Sequence, residues 1–212
     1  MKEEVILHDM IKRFPDLEGC KDDIREAYNM VIHCYSNQGK LLLCGNGGSC
    51  ADADHMVGEL MKSFERKRPI DHTMKINLTS ISGERGAFLA DSLQKALPAI
   101  SLNAHSALYS AISNDMDAHL VFAQQVAGYG ESGDILIAIS TSGNSQNIVD
   151  AAITARAKGL RVIGITGQNG GRMKPYCDVA ICVPATTTAE IQEFHQPVYH
   201  SICRMVENRF FQ

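Results

Sequence analysis

Five short runs of apolar residues, interleaved with segments of helical periodicity, restrict this chain more than any other feature. They are "LLLC" from Leu41, "AISL" from Ala99, "DILIAIS" from Asp134, "RVIGIT" from Arg161 and "DVAICV" from Asp178. A strand with one wet face alternates apolar and polar residues. A strand apolar at nearly every position is covered on both faces, as in a parallel sheet between two helical layers. The interleaving predicts an open, doubly wound parallel α/β sheet. With 212 residues, 45% apolar and 21% charged, one domain spanning 1–212 is expected.

The first 39 residues read as a helical segment, one helix before Pro15 and a second from Asp22 to Ser36, stopped by "NQG". Residues 70–96 are too long for an ordinary connection and are expected to be a lid or insertion, helical from about Arg85. Ala189 to Phe211 reads as a long C-terminal helix in which Pro197 makes a kink or marks a join.

A net charge of -4 leaves no electrostatic footprint for nucleic acid, and the one dense basic run, "ERKRP" at Glu65 to Pro69, reads as a solvated turn. No signal peptide or membrane-length apolar stretch is present, so a cytoplasmic protein is expected, with no membrane partner. Seven scattered cysteines without a CxxC pair point to reduced thiols. Cys50 falls in the first turn of an expected helix, where the dipole can lower a thiol pKa, although a buried filler is the commoner role.

Two strand ends run into small, polar turns. "STSGNS" places Ser140, Thr141, Ser142 and Ser145 before an amphipathic helix, with Gly143 allowing close approach. Hydroxyls and free N–H groups at a helix N-terminus favour a bound dianion. A simple N-cap by Ser145 is the plainer alternative, but one hydroxyl suffices for that. This turn is neither a Walker A loop nor a dinucleotide fingerprint. "CGNGGS" at Cys44 to Ser49 occupies the same place after an earlier strand, and in an open parallel sheet both turns face one crevice.

His55 and Glu59 follow at i and i+4, on one helix face and about 6 Å apart along the axis. Such a pair can ligate a divalent metal or supply a base. Alone it is more often a surface contact, but its place just downstream of an anion-type turn changes that balance. Gln192 and His200 lie about 12 Å apart along the C-terminal helix, so sharing one ion requires long reaches or different subunits. His195 lies on a nearby but different face.

Taken together, "CGNGGS", "HMVGEL", "ISND", "GDILIAISTSGNSQNIV", "GITGQNGGRM" and "IQEFHQPVYH" resemble the sugar isomerase (SIS) domain family and, within it, the phosphoheptose isomerases. The likeness covers almost the whole chain in order, apart from 70–96. It implies a flavodoxin-like SIS fold with N-terminal helices and a long C-terminal helix. It implies an aldose-ketose isomerase that converts sedoheptulose 7-phosphate to D-glycero-D-manno-heptose 7-phosphate through an enediol(ate), for bacterial heptose and lipopolysaccharide biosynthesis. It also implies a homotetramer with active sites between subunits, and zinc.

By position, the resemblance makes Glu59 the general base and His200 the general acid, and makes His55, Glu59, Gln192 and His200 the zinc ligands. Glu59 is thus matched to both roles. Ser140, Thr141, Ser142 and Ser145 match the phosphate-binding run, and Asn46, Gly47, Ser49, Asp115 and Gln192 fall to the substrate; His195 matches no role. The chain departs from the family where Lys62 alone stands near an expected basic residue, where Ala189 replaces an acid beside Glu190, and at Pro197 and 70–96. The rival expectations are an isomerase or sensor for another phosphosugar, or a non-catalytic member that binds the replication initiator.

Overall fold

The computed structural model of the chain describes residues 2–211. Its sheet has five strands, β1 (Leu41–Gly45), β2 (Ala99–Ser101), β3 (Ile135–Ser140), β4 (Arg161–Thr166) and β5 (Val179–Cys182). They lie in the order β2-β1-β3-β4-β5 and all pairs are parallel, with Leu41 opposite Ile135 and Ile135 opposite Arg161.

The continuous apolar runs are explained by the two cores. Leu41, Leu43, Ile135, Ile137, Ile139, Ile163, Ile165 and Ile181 face one layer, made of α1 (Lys2–Arg13), α2 (Lys21–Ser36), α3 (Gly48–Met61) and α8 (Thr188–Phe210). Leu42, Cys44, Leu136, Ala138 and Val162 face the other, made of α5 (Ser106–Asp115), α6 (Val121–Tyr129) and α7 (Gln146–Ala157). Successive strand residues point to opposite faces, so covering both leaves polar residues only at strand ends, as at Ser101, Ser140, Arg161 and Thr166.

Strand order reverses between β1 and β3, and the turns that follow these two strands open on that switch point. In such sheets this is where ligands bind.

Three expectations need correction. The segment around 70–96 is helical from its first half: α4 (His72–Ser92) begins at Asp71, whose side chain accepts from Met74 N, and is interrupted only at Ser82 and Gly83. Its apolar residues form no single stripe, and Met74, Ile76, Ile81 and Phe88 are exposed, which is why periodicity did not reveal it. α8 runs unbroken through Pro197. The carbonyl that loses a partner belongs to Glu193, an exposed residue, so water can take its place. Finally, "ERKRP" is not a wholly solvated turn, because Arg68 is buried. Among the described residues all seven cysteines are free, and no helix is long and apolar enough to cross a membrane.

Candidate active site

The turn after β1 reaches α3 through Gly47, whose φ of 56° is a conformation glycine adopts without strain. The turn after β3 reaches α7 through Ser145. Neither helix has a side-chain cap at its N-terminus, and Ser145 in particular makes no capping hydrogen bond. Of the first-turn N–H groups, those of Ser49 and Cys50 already donate to the Asn46 and Gly47 carbonyls and that of Ile148 to Ser145, which leaves the Gly48, Gln146 and Asn147 N–H groups free of a backbone partner.

These N-termini open on one cavity of about 270 Å³, lined by Asn46, Gly47, Gly48, Ser49, Ser140, Thr141, Ser145 and Gln192 among others. Two positive dipole ends, several hydroxyls and an amide around one small space make an anion cradle. Gln192 lies directly over Gly48, so that a Cβ on Gly48 would stand 2.3 Å from its amide nitrogen. Asn46 and Asn147 exchange two amide hydrogen bonds of 2.9 Å, which ties the first turn to α7.

His55, Glu59 and His200 do not line this cavity, and His200 borders a different space of about 390 Å³; of the expected phosphate and substrate residues, two are also outside it. Ser142 lines a neighbouring space of about 230 Å³ and its hydroxyl accepts from Asn144 N. Asp115 ends α5, exposed, with Oδ1 accepting from the Asn114 amide.

Further along α3, Nε2 of His55 is 3.1 Å from Oε1 of Glu59. Glu59 is buried, and its Oε2 has no hydrogen bond, with the Lys62 ammonium 3.7 Å away. Lys62 thus does reach the carboxylate. The His200 ring stands 4.9 Å from the His55 ring, and its buried Nε2 is also without a partner. Burial pushes the His200 pKa below the ordinary histidine value; His55 adds to the shift and Glu59 opposes it. His200 is accordingly neutral at pH 7 and able to donate without carrying charge.

His195 is on the face of α8 that meets α3, fully buried, with Nδ1 3.9 Å from Asp52 Oδ2. Burial lowers its pKa to about 4, with the Thr166 backbone pulling slightly the other way. Burial and Asp54 raise the Cys50 pKa, so its helix position has not activated it.

Comparison with known proteins agrees with this architecture. A family model described as the SIS domain matches residues 9–87 and 83–167. A phosphoheptose isomerase from a Nitratiruptor species is 39% identical over 193 residues, which is 91% of this chain and 89% of the relative. The chain belongs to the SIS domain family, among the phosphoheptose isomerases. Another family relative, from Helicobacter pylori, is 36% identical over 92% of this chain and 88% of its own length. Among solved structures, the phosphoheptose isomerase GmhA from Neisseria gonorrhoeae aligns with a TM-score of 0.74 and 31% identity, covering 98% of both chains. The Francisella tularensis phosphoheptose isomerase gives a TM-score of 0.76 at 29% identity, covering 98% of this chain and 97% of the other.

A zinc site in this family member would draw on His55, Glu59 and His200, whose donor chemistry fits: two imidazoles, a carboxylate, and two buried atoms left without partners. The arrangement is not closed, because among the described residues no group of three or more His, Cys, Asp or Glu is gathered to hold an ion. His55 Nε2 and Glu59 Oε1 face each other instead. Sequence reading missed Asp52, Asn147 and Tyr199. The spacing of Asp52 from His55 and of Tyr199 from His195 was the available signal, since each pair shares a helix face.

Proposed function

We propose that this protein interconverts sedoheptulose 7-phosphate and D-glycero-D-manno-heptose 7-phosphate. The observation that carries this reading is the single cavity at the switch point, where two uncapped helix N-termini, Ser49, Ser140, Thr141, Ser145 and Gln192 converge. Identity to phosphoheptose isomerases over nine-tenths of the chain supports it.

The cradle holds the phosphate, and α3 and α8 bring Glu59 and His200 to the other end of the sugar. Glu59 takes a proton from C1 of the ketose, and the electron pair forms the C1=C2 double bond of an enediol(ate) as the C2 carbonyl pair moves onto O2. Glu59 then delivers a proton to C2, while O2 gains a hydrogen and O1 loses one. Neutral His200 donates a hydrogen bond to the oxygens as charge builds on them. A zinc ion held by His55, Glu59 and His200, with Gln192 of the expected set standing over Gly48 in the cradle instead, would supply Lewis-acid polarisation of those oxygens.

On this reading residues 1–212 are one SIS domain, with 1–39 as its helical N-terminal segment and 70–96 as an insertion. A homotetramer with shared active sites accounts for Asp115 lying outside its own chain's cavity and for the exposed apolar residues of α4. The reaction belongs in the cytoplasm, where its phosphosugar substrate is made.

The test is turnover of sedoheptulose 7-phosphate by the pure protein, with and without added zinc. Glu59→Gln should lower kcat by roughly 10²–10⁴ and stop exchange of the C1 proton with deuterated solvent. Absence of turnover under both conditions defeats the reading, and thermal-shift screening across phosphosugars would then identify another ligand.

A further inference from the structure

Two polar stripes meet where α3 packs on α8. Gly48, Asp52, His55 and Glu59 follow at intervals of four, three and four, which is one face of α3. Gln192, His195 and Tyr199 follow at three and four along α8. The stripes are in register: Gln192 over Gly48, His195 Nδ1 3.9 Å from Asp52 Oδ2, and the Tyr199 hydroxyl 3.0 Å from His55 Nδ1.

Tyr199 is the element of this interface that the proposed chemistry does not use. It is 2% exposed, its hydroxyl is 3.0 Å from His55 Nδ1, and close to it stands the Asp52 carboxylate, whose buried Oδ2 has no hydrogen-bond partner. A phenol has one proton to give and lone pairs with which to accept. Two acceptors therefore compete for that proton, and a hydrogen bond to a carboxylate is roughly twice as strong as one between neutral groups.

We propose that Tyr199 is a positioning residue that fixes the tautomer of His55, by donating its hydroxyl proton to Asp52 and accepting from His55 Nδ1–H. The imidazole then keeps its bare nitrogen, Nε2, 3.1 Å from Glu59 Oε1.

The consequence is chemical. A bare Nε2 and a carboxylate oxygen repel unless a proton or a cation lies between them, and Glu59 Oε2 is an additional buried acceptor without a hydrogen bond. The tautomer thus creates a place that attracts positive charge, whether the proton Glu59 takes from the sugar or a divalent ion. The opposite tautomer would donate Nε2–H to Glu59, weaken it as a base and remove the lone pair a metal needs. This inference rests on the roles of His55 and Glu59 proposed above, but its test does not depend on turnover.

The experiment is long-range ¹⁵N–¹H spectroscopy of the metal-free protein with ring-labelled histidine at pH 7.5, the His55 signals being assigned from their loss in His55→Gln. The wild type is expected to show a protonated Nδ1 and a bare Nε2. Tyr199→Phe should invert or average this pattern, and Asp52→Asn should do the same by removing the carboxylate acceptor, which covers the case in which the phenylalanine variant fails to fold. Zinc affinity of the folded variants, titrated with the metal alone, should fall by roughly 10–100-fold. A proton on Nε2 in the wild type, alone or together with one on Nδ1, overturns the proposal. So does an unchanged His55 pattern in the folded variants. The expected tautomer in a wild type that does not turn over sedoheptulose 7-phosphate would sustain this inference while defeating the assignment of function.

Discussion

Arg68 and Glu207 form an ion pair of 2.8 Å in which each side chain is only 1% exposed. The guanidinium also donates to the carbonyls of Leu60 at 2.7 Å and Glu59 at 2.8 Å. Glu207 in turn accepts from the N–H groups of Phe64 at 2.9 Å and Glu65 at 2.8 Å. The pair therefore closes the end of α3 at the residue proposed as base, and ties it to the helix that carries His200. Burial alone would push the Glu207 pKa up; the two N–H groups and Arg68 outweigh it and hold the carboxyl below its usual value.

Arg68→Met leaves Glu207 buried without its charge partner and should destabilise the fold by about 3–5 kcal/mol. Adding Glu207→Leu should recover only part of that loss, because the Glu59 and Leu60 carbonyls and the Phe64 and Glu65 N–H groups remain unpaired. Urea unfolding of the two variants measures both steps, and full recovery in the double variant would contradict this account.

Gly48→Ala tests the cradle. The added methyl must displace the Gln192 amide, which is the end of a flexible side chain, so the expected cost falls on binding and not on folding. KM for the phosphosugar should rise at least about tenfold, equivalent to roughly 1.4 kcal/mol, while Tm stays within about 3 °C. A large drop in Tm with unchanged KM would show that the contact is structural.

Ser145→Ala separates the two roles of a hydroxyl at a helix start. A capping serine is worth about 1 kcal/mol, but Ser145 makes no capping bond. Stability should therefore change by less than about 0.5 kcal/mol, while affinity for the phosphosugar falls. Denaturant melts beside KM measurements decide between them.

His195 gives a pH signature. Its folded pKa of about 4 lies below the ordinary value of 6.5, so between these the unfolded chain binds more protons. The stability at stake is fully present above pH 6.5 and is lost as pH falls toward 4, in total about 3 kcal/mol. Asp52 and the Thr166 backbone face the ring. Removing the imidazole in His195→Leu should take about one proton from the acid-side slope of stability against pH, read from urea melts at intervals across that range.

The parallel sheet was legible because strands covered on both faces carry an unbroken apolar signature, and β1, β3 and β4 fell where those runs stood. The two anion turns and the His55/Glu59 pair were legible for a related reason: each depends on residues adjacent in the chain or one helical turn apart. α4 was read only in part, since an exposed helix has no apolar stripe to announce it. Ser142 was grouped with its neighbours by sequence, yet the turn sends it to a different space from Ser140 and Ser145.

The sequence by itself determined which residues share a face of α3 and which share a face of α8, because 3.6 residues per turn is a property of the backbone. Only the tertiary structure decided that Tyr199 meets His55, that His195 meets Asp52 and that Gln192 covers Gly48. Those meetings, such as that of Tyr199 with His55 across 144 residues of chain, depend on where the two helices settle on one sheet, and that register follows from packing of the whole layer against β1, β3 and β4.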